Sequence, residues 1–113
     1  MISEHVIQRS FITELTYRKR QPVISFAIPN GGLRNIRVAQ QMKAEGLLPG
    51  MPDNGFLFED GQSAWLEFKT ATGRLSDAQV GIRTRLEKLG HRWAMARSAE
   101  EAFDHLATWG LLK

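Results

Sequence analysis

The chain has 113 residues, enough for one modest hydrophobic core and too few for two. Hydrophobic residues make up 42% and charged residues 24%, the balance of a folded chain and not of a disordered tail. There is no cysteine, which excludes disulfides, thiolate zinc sites and thiol nucleophiles. The formal charge is +3, from 15 Lys and Arg against 12 Asp and Glu, compatible with a polyanionic partner without demanding one.

The expected elements follow in chain order. Ser3 is a plausible N-cap for a first helix to about Arg20, with Ile7, Phe11 and Leu15 on one face and Glu4 and Gln8 inside the same arc. Pro22 stops it, and Val23 to Ile28 alternates as a strand. Pro29-Asn30-Gly31-Gly32 is a turn whose glycines admit close approach of another chain. Leu33 to Glu45 reads as a second helix closed by Gly46, followed by a loop through Pro49, Gly50, Pro52 and Gly55. Phe56 to Glu59 and Ala64 to Lys69 read as strands joined by a hairpin turn at Asp60-Gly61. Ser76 with Gln79 makes a capping box for a helix from Asp77 to Leu89, ended by Gly90. His91 to Ala96 reads as a strand, and Ser98 caps a last helix from Ala99 to about Leu112. The order α-β-α-β-β-α-β-α predicts an α/β domain over residues 1–113, a central mixed sheet flanked by helices.

His5, His91 and His105 are too widely separated for a short metal motif. No run approaches the roughly 18 apolar residues of a membrane span, and no apolar leader opens the chain. A cytoplasmic protein with no membrane partner is therefore expected.

Charge is segregated. Between Arg9 and Lys43 there are seven basic residues and one acid, Glu14; between Glu45 and Glu67 there are five acids and no base. Such polarity suits clustered carboxylates approached by a polyanion on a basic rim. Asp53 stands at the mouth of the first hairpin strand, and fourteen residues on, Glu67 and Lys69 share a face of the second. Adjacent strands can bring these groups together. Close carboxylates repel unless a cation joins them, and hard oxygen donors point to Mg²⁺ or Mn²⁺, with the Phe68 backbone carbonyl as a further candidate ligand. Lys69 would then hold the attacking water and offset charge on a pentacovalent phosphate. Alternating charge on a solvated strand face is the plainer account of Glu67-Phe68-Lys69 taken alone. Glu4 could reach the same end of the sheet, with Glu14 as the competing choice, and either could instead pair with an arginine. Gln79 could orient water or a phosphate oxygen, although the capping box alone explains it.

Taken together these residues resemble the VRR-NUC family, the virus-type replication-repair nucleases of the PD-(D/E)xK superfamily. The likeness runs through Pro29-Asn-Gly-Gly32, Lys43-Ala-Glu-Gly-Leu47, Pro49-Gly-Met-Pro-Asp53, Glu67-Phe-Lys69-Thr70, Gly73-Arg-Leu-Ser76 and Gln79, covering nearly the whole chain. Asn54 departs from it, since an aliphatic residue usually follows the aspartate. The resemblance implies a restriction-endonuclease-like core and metal-dependent phosphodiester hydrolysis in DNA. Asp53, Glu67, Lys69, Gln79 and Glu4 would be catalytic, with Asp53, Glu67, Phe68 and Glu4 at the metal. It also implies a homodimer acting on branched DNA such as Holliday junctions. Gln8, Asn30, Gly31, Gly32, Arg34, Arg37, Arg74, Ser76 and Arg83 are expected on the DNA, recognised by shape and charge. The alternatives are a basic DNA-binding domain without catalysis, and a nickase or restriction-like enzyme acting on duplexes or flaps.

Overall fold

Residues 2–29 and 36–113 are described by a computed structural model. Along the chain run α1 (Glu4–Arg18), β1 (Ile24–Ala27), α2 (Ile36–Ala44), β2 (Asn54–Phe58), a short 3₁₀ turn (Glu59–Gly61), β3 (Gln62–Phe68), α3 (Asp77–Lys88), β4 (Arg92–Ala96) and α4 (Ala99–Thr108). The four strands form one mixed sheet in the order β1-β2-β3-β4, antiparallel except for the parallel pair β3–β4 that α3 connects. The expected element order and mixed sheet are both present. Leu33, the expected start of the second helix, lies outside the described residues.

The boundaries follow from local chemistry. Ser3 caps α1 by accepting from the Val6 N–H, and Ser98 caps α4 by accepting from the Glu101 N–H. Three helices close with a glycine in the left-handed region: Gly46 after α2, Gly90 after α3 and Gly110 after α4. In each, the glycine N–H and the next N–H bond back to carbonyls of the last turn, as Gly110 does to Ala107 and Leu111 to Leu106. The last helix therefore stops at Thr108 instead of running to Leu112, because Gly110 redirects the chain. Leu111 is then buried, and Leu112 bridges to Lys19. The hairpin connection is the three-residue turn Glu59–Gly61, with Asp60 at φ 62° and Gly61 at φ 70°, so β2 and β3 each begin two residues earlier than expected.

One core lies between the sheet and the helix pair α1 and α4. Ile7, Phe11 and Leu15 come from α1, Phe56, Leu66 and Phe68 from the central strands, and Phe103 and Leu106 from α4. Phe11 is its hub, with ring centroids 5.4 Å from Phe68, 4.9 Å from Phe103 and 6.4 Å from Phe56. The opposite sheet face carries Ser63, Trp65 and Glu67 on β3, by the two-residue alternation of the strand. There Trp65 Nε1 donates to Ser63 Oγ, and Ser63 Oγ lies 2.6 Å from His91 Nδ1. Among the described residues no helix is long and apolar enough to cross a membrane.

Candidate functional site

The β2–β3 register decides the site. Asn54 pairs with Leu66, so one step further along the same antiparallel pair Asp53 stands opposite Glu67. Residues opposed in this way have Cβ atoms about 5 Å apart, which is why a fourteen-residue spacing brings two acids together. Asp53 is close enough to act on the Glu67 carboxyl and raise its pKa. Two opposed acids repel unless one carries a proton or a cation stands between them.

Glu67 is only 3% exposed. Burial first, then the charge and hydrogen bond of Asp53, push its pKa up to about 9; Lys69 opposes the shift and Glu4 adds to it. Each acid has a fixed partner besides the other. Asp53 Oδ2 accepts from the Phe68 N–H at 2.8 Å, and Glu67 Oε2 accepts from Gln79 Nε2 at 3.1 Å. Gln79 does this while closing the capping box, its Oε1 accepting from the Ser76 N–H at 2.9 Å. The capping box expected of Gln79 is thus present, and the nitrogen of the same amide is given to Glu67. The Phe68 N–H serves Asp53 in this way, apart from its carbonyl, the further ligand expected for a cation.

The loop before Asp53 is fixed by a close approach. Gly50, at φ 93°, sits so near α3 that a Cβ there would lie 2.4 Å from the Ala78 carbonyl oxygen. Only glycine fits, and the contact ties the Asp53 loop to the helix turn that carries Gln79.

On the α1 side, Glu4, His5, Gln8, Ile28 and Asp53 line a cavity of about 530 Å³. Glu4 therefore shares the cleft with Asp53, while Glu14 is taken up in an ion pair with Arg18 at 3.2 Å. Among the described residues no three His, Asp or Glu side chains gather as a ready-made metal group. The convergent acids are two, with Glu4 near enough for its charge to be felt at Glu67. Two opposed acids, one of them buried, are hard oxygen donors that fit Mg²⁺ or Mn²⁺ chemically.

The expected DNA contacts differ in exposure and in the partners they hold. Arg37 and Arg74 are exposed. Arg83 is exposed but engaged, 3.4 Å from Glu87 and with its guanidinium 4.8 Å over the Trp93 ring. Ser76 is occupied as the α3 cap. Gln8 gives its Nε2 to Asn54 at 3.1 Å. Asn30, Gly31, Gly32 and Arg34 lie outside the described residues.

Two residues that the sequence reading did not place at the site belong here. His5, considered there only as part of a histidine motif, lines the cavity; its place one residue after Glu4 was the available signal. Arg97 Nη1 donates to the carbonyls of Thr70 at 2.6 Å and Gly73 at 2.8 Å, clamping the turn that follows Lys69. The Lys69 N–H itself bonds to the Ala96 carbonyl at 3.0 Å. No pattern in the sequence announces Arg97, because its partners are more than twenty residues away. No protein-family model, curated protein or solved structure matches the chain.

Proposed function

We propose that the protein is a divalent-metal-dependent DNA endonuclease of the VRR-NUC type, with a restriction-endonuclease-like core, acting as a homodimer on branched DNA. The observation that carries this reading is the register of adjacent strands that sets Asp53 opposite the buried Glu67, with Lys69 close enough for its charge to act there. A solvated strand face has no reason to bury one acid against another. A bound Mg²⁺ or Mn²⁺ would supply Lewis-acid polarisation of the phosphoryl oxygen and a lowered pKa for water.

The chain's own groups then have distinct tasks. Asp53 and Glu67 would hold the cation, with the Phe68 N–H and the Gln79 amide fixing one oxygen of each. Lys69, whose charge is felt at Glu67, would orient the attacking water and offset negative charge on the phosphate in the transition state. Exposed Arg37 and Arg74 would contact backbone phosphates. A two-fold pair of such sites matches the symmetry of a four-way junction, which is the ground for the homodimer.

The test is purified protein with Mg²⁺, Mn²⁺ or Ca²⁺ on linear duplex, flap and four-way junction DNA, beside D53N. Symmetric nicks across the junction that need the metal and vanish in D53N are expected. Tight DNA binding with no cleavage in any metal, unchanged in D53N, would mark a non-catalytic DNA-binding domain. Cleavage of duplex or flap in preference to the junction would retain the chemistry and discard the junction as substrate.

A further inference from the structure

We propose that Asn54 is a positioning residue: its buried amide ties Gln8, and with it the first turns of α1, to the strand end that carries Asp53. The inference rests on the reading of Asp53 and Glu67 as the reacting centre.

Asn54 has no exposed surface and lies on the core face of β2, in the same row as Phe56. An aliphatic side chain would pack there without desolvating an amide, which costs free energy unless every polar atom finds a partner. Asn54 finds them. Its Oδ1 accepts from Gln8 Nε2 at 3.1 Å, its Nδ2 donates to the Phe26 carbonyl at 3.4 Å, and no buried side-chain nitrogen or oxygen among the described residues is left without a partner. The amide thus links three elements: α1 through Gln8, β1 through Phe26, and β2 through its own backbone.

The link falls beside the acid that matters. Asp53 precedes Asn54 in the chain, and its carbonyl accepts from the Ile28 N–H at 2.8 Å. The Asp53–Asn54 segment is therefore pinned to β1 by its backbone on one side and by the Asn54 amide on the other. Gln8 holds the third side, and its helix brings Glu4 to the cavity that Asp53 lines. Gln8 was expected on DNA; its side-chain nitrogen is given inward to Asn54. A carboxylate that must hold a cation in fixed geometry needs this kind of support, since partners behind the ligands set their orientation.

The experiment combines N54L, Q8M and the double variant. Both substitutions keep side-chain size and remove the amide, and Q8M alters only a half-buried position of α1 should N54L fold poorly. With a four-way junction and Mg²⁺, each single variant should lower kcat by about 10–100-fold with KM for DNA nearly unchanged. The double variant should be no slower than the slower single one. In ¹⁵N spectra of metal-free protein, N54L should shift the Gln8 side-chain amide and the Asp53 backbone amide. Folded variants with wild-type kcat, losses that multiply in the double variant, or an unmoved Gln8 amide would overturn the proposal. So would a rise in KM at constant kcat, which would return Gln8 to the DNA. A wild type inert on every DNA and metal, with the amide shifts present, would instead overturn the nuclease reading on which the role depends.

Discussion

Gln79 Nε2 donates to Glu67 Oε2 at 3.1 Å, across the gap between the first turn of α3 and the third strand. The same amide closes the α3 capping box, so helix stability and acid orientation meet in one side chain. Substitution can separate them. Q79E keeps a residue that serves the capping box well but sets a third carboxyl against Glu67. The variant should melt near the wild-type temperature yet lose most metal-dependent cleavage. S76A should do the reverse, costing about 1 kcal/mol of stability with cleavage at 25 °C little changed. Thermal melts and junction assays on the pair check both.

The pH dependence follows from Glu67. Its pKa in the folded protein is raised to about 9, chiefly by burial. The folded state therefore holds a proton that the unfolded chain gives up at ordinary carboxylate pKa. Stability of the metal-free protein should be greatest at low pH on this account and fall as pH rises towards 9. E67Q, which keeps an oxygen for Gln79 and carries no charge, should flatten that fall and melt higher than wild type at pH 8. Denaturant unfolding at several pH values measures it.

The same proton competes with metal. Below pH 9 a divalent cation must displace it, so Mn²⁺ affinity should rise with pH, by about tenfold per unit where one proton is released. Calorimetric titration in buffers of different ionisation enthalpy counts that proton directly. D53N, which removes the charge that adds to the effect of burial on the Glu67 pKa, should weaken the dependence along with the affinity.

Two close-packed glycines should respond differently to alanine. At Gly50 the added Cβ would meet the Ala78 backbone carbonyl at 2.4 Å, and φ is 93°. At Gly55 it would meet the ends of the Phe26 and Trp65 rings, at 2.5 and 2.8 Å. Rings can swing aside, whereas helix backbone cannot do so cheaply. G50A should therefore be the more damaging change, by about 1 kcal/mol or more beyond G55A, and should also impair the site by moving the Asp53 loop.

Arg97 offers a further check on Lys69. R97M removes both hydrogen bonds to the Thr70 and Gly73 carbonyls. Bonds of this charged kind contribute about 1.5–3 kcal/mol each, so a loss of stability of about 3 kcal/mol or more is expected. Faster hydrogen exchange at Gly73 and slower cleavage should accompany it.

Local signals carried much of this architecture. Ser3, Ser76 and Ser98 cap the helices the sequence assigns to them, because capping involves residues three apart. The same glycine signal that ends helices at Gly46 and Gly90 is present at Gly110. The helix expected to run to about Leu112 passed over it; Leu111 is buried by the redirected chain instead of by the helix. The meeting of Asp53 with Glu67 was legible from hairpin spacing. What stayed hidden was contact between distant segments: Gly50 on Ala78, Arg97 on Thr70, Gln8 on Asn54. Asn54 in particular read as an odd choice of residue, and its reason lies 46 positions away.

The proton that a raised pKa keeps on Glu67 bears on the order in which partners can load. With it in place the cleft floor holds one negative charge fewer than its acids suggest, so a polyanion approaching the metal-free protein meets less repulsion there. DNA is thereby free to dock before the cation, and the cation's arrival, by expelling the proton, becomes the event that arms the pair.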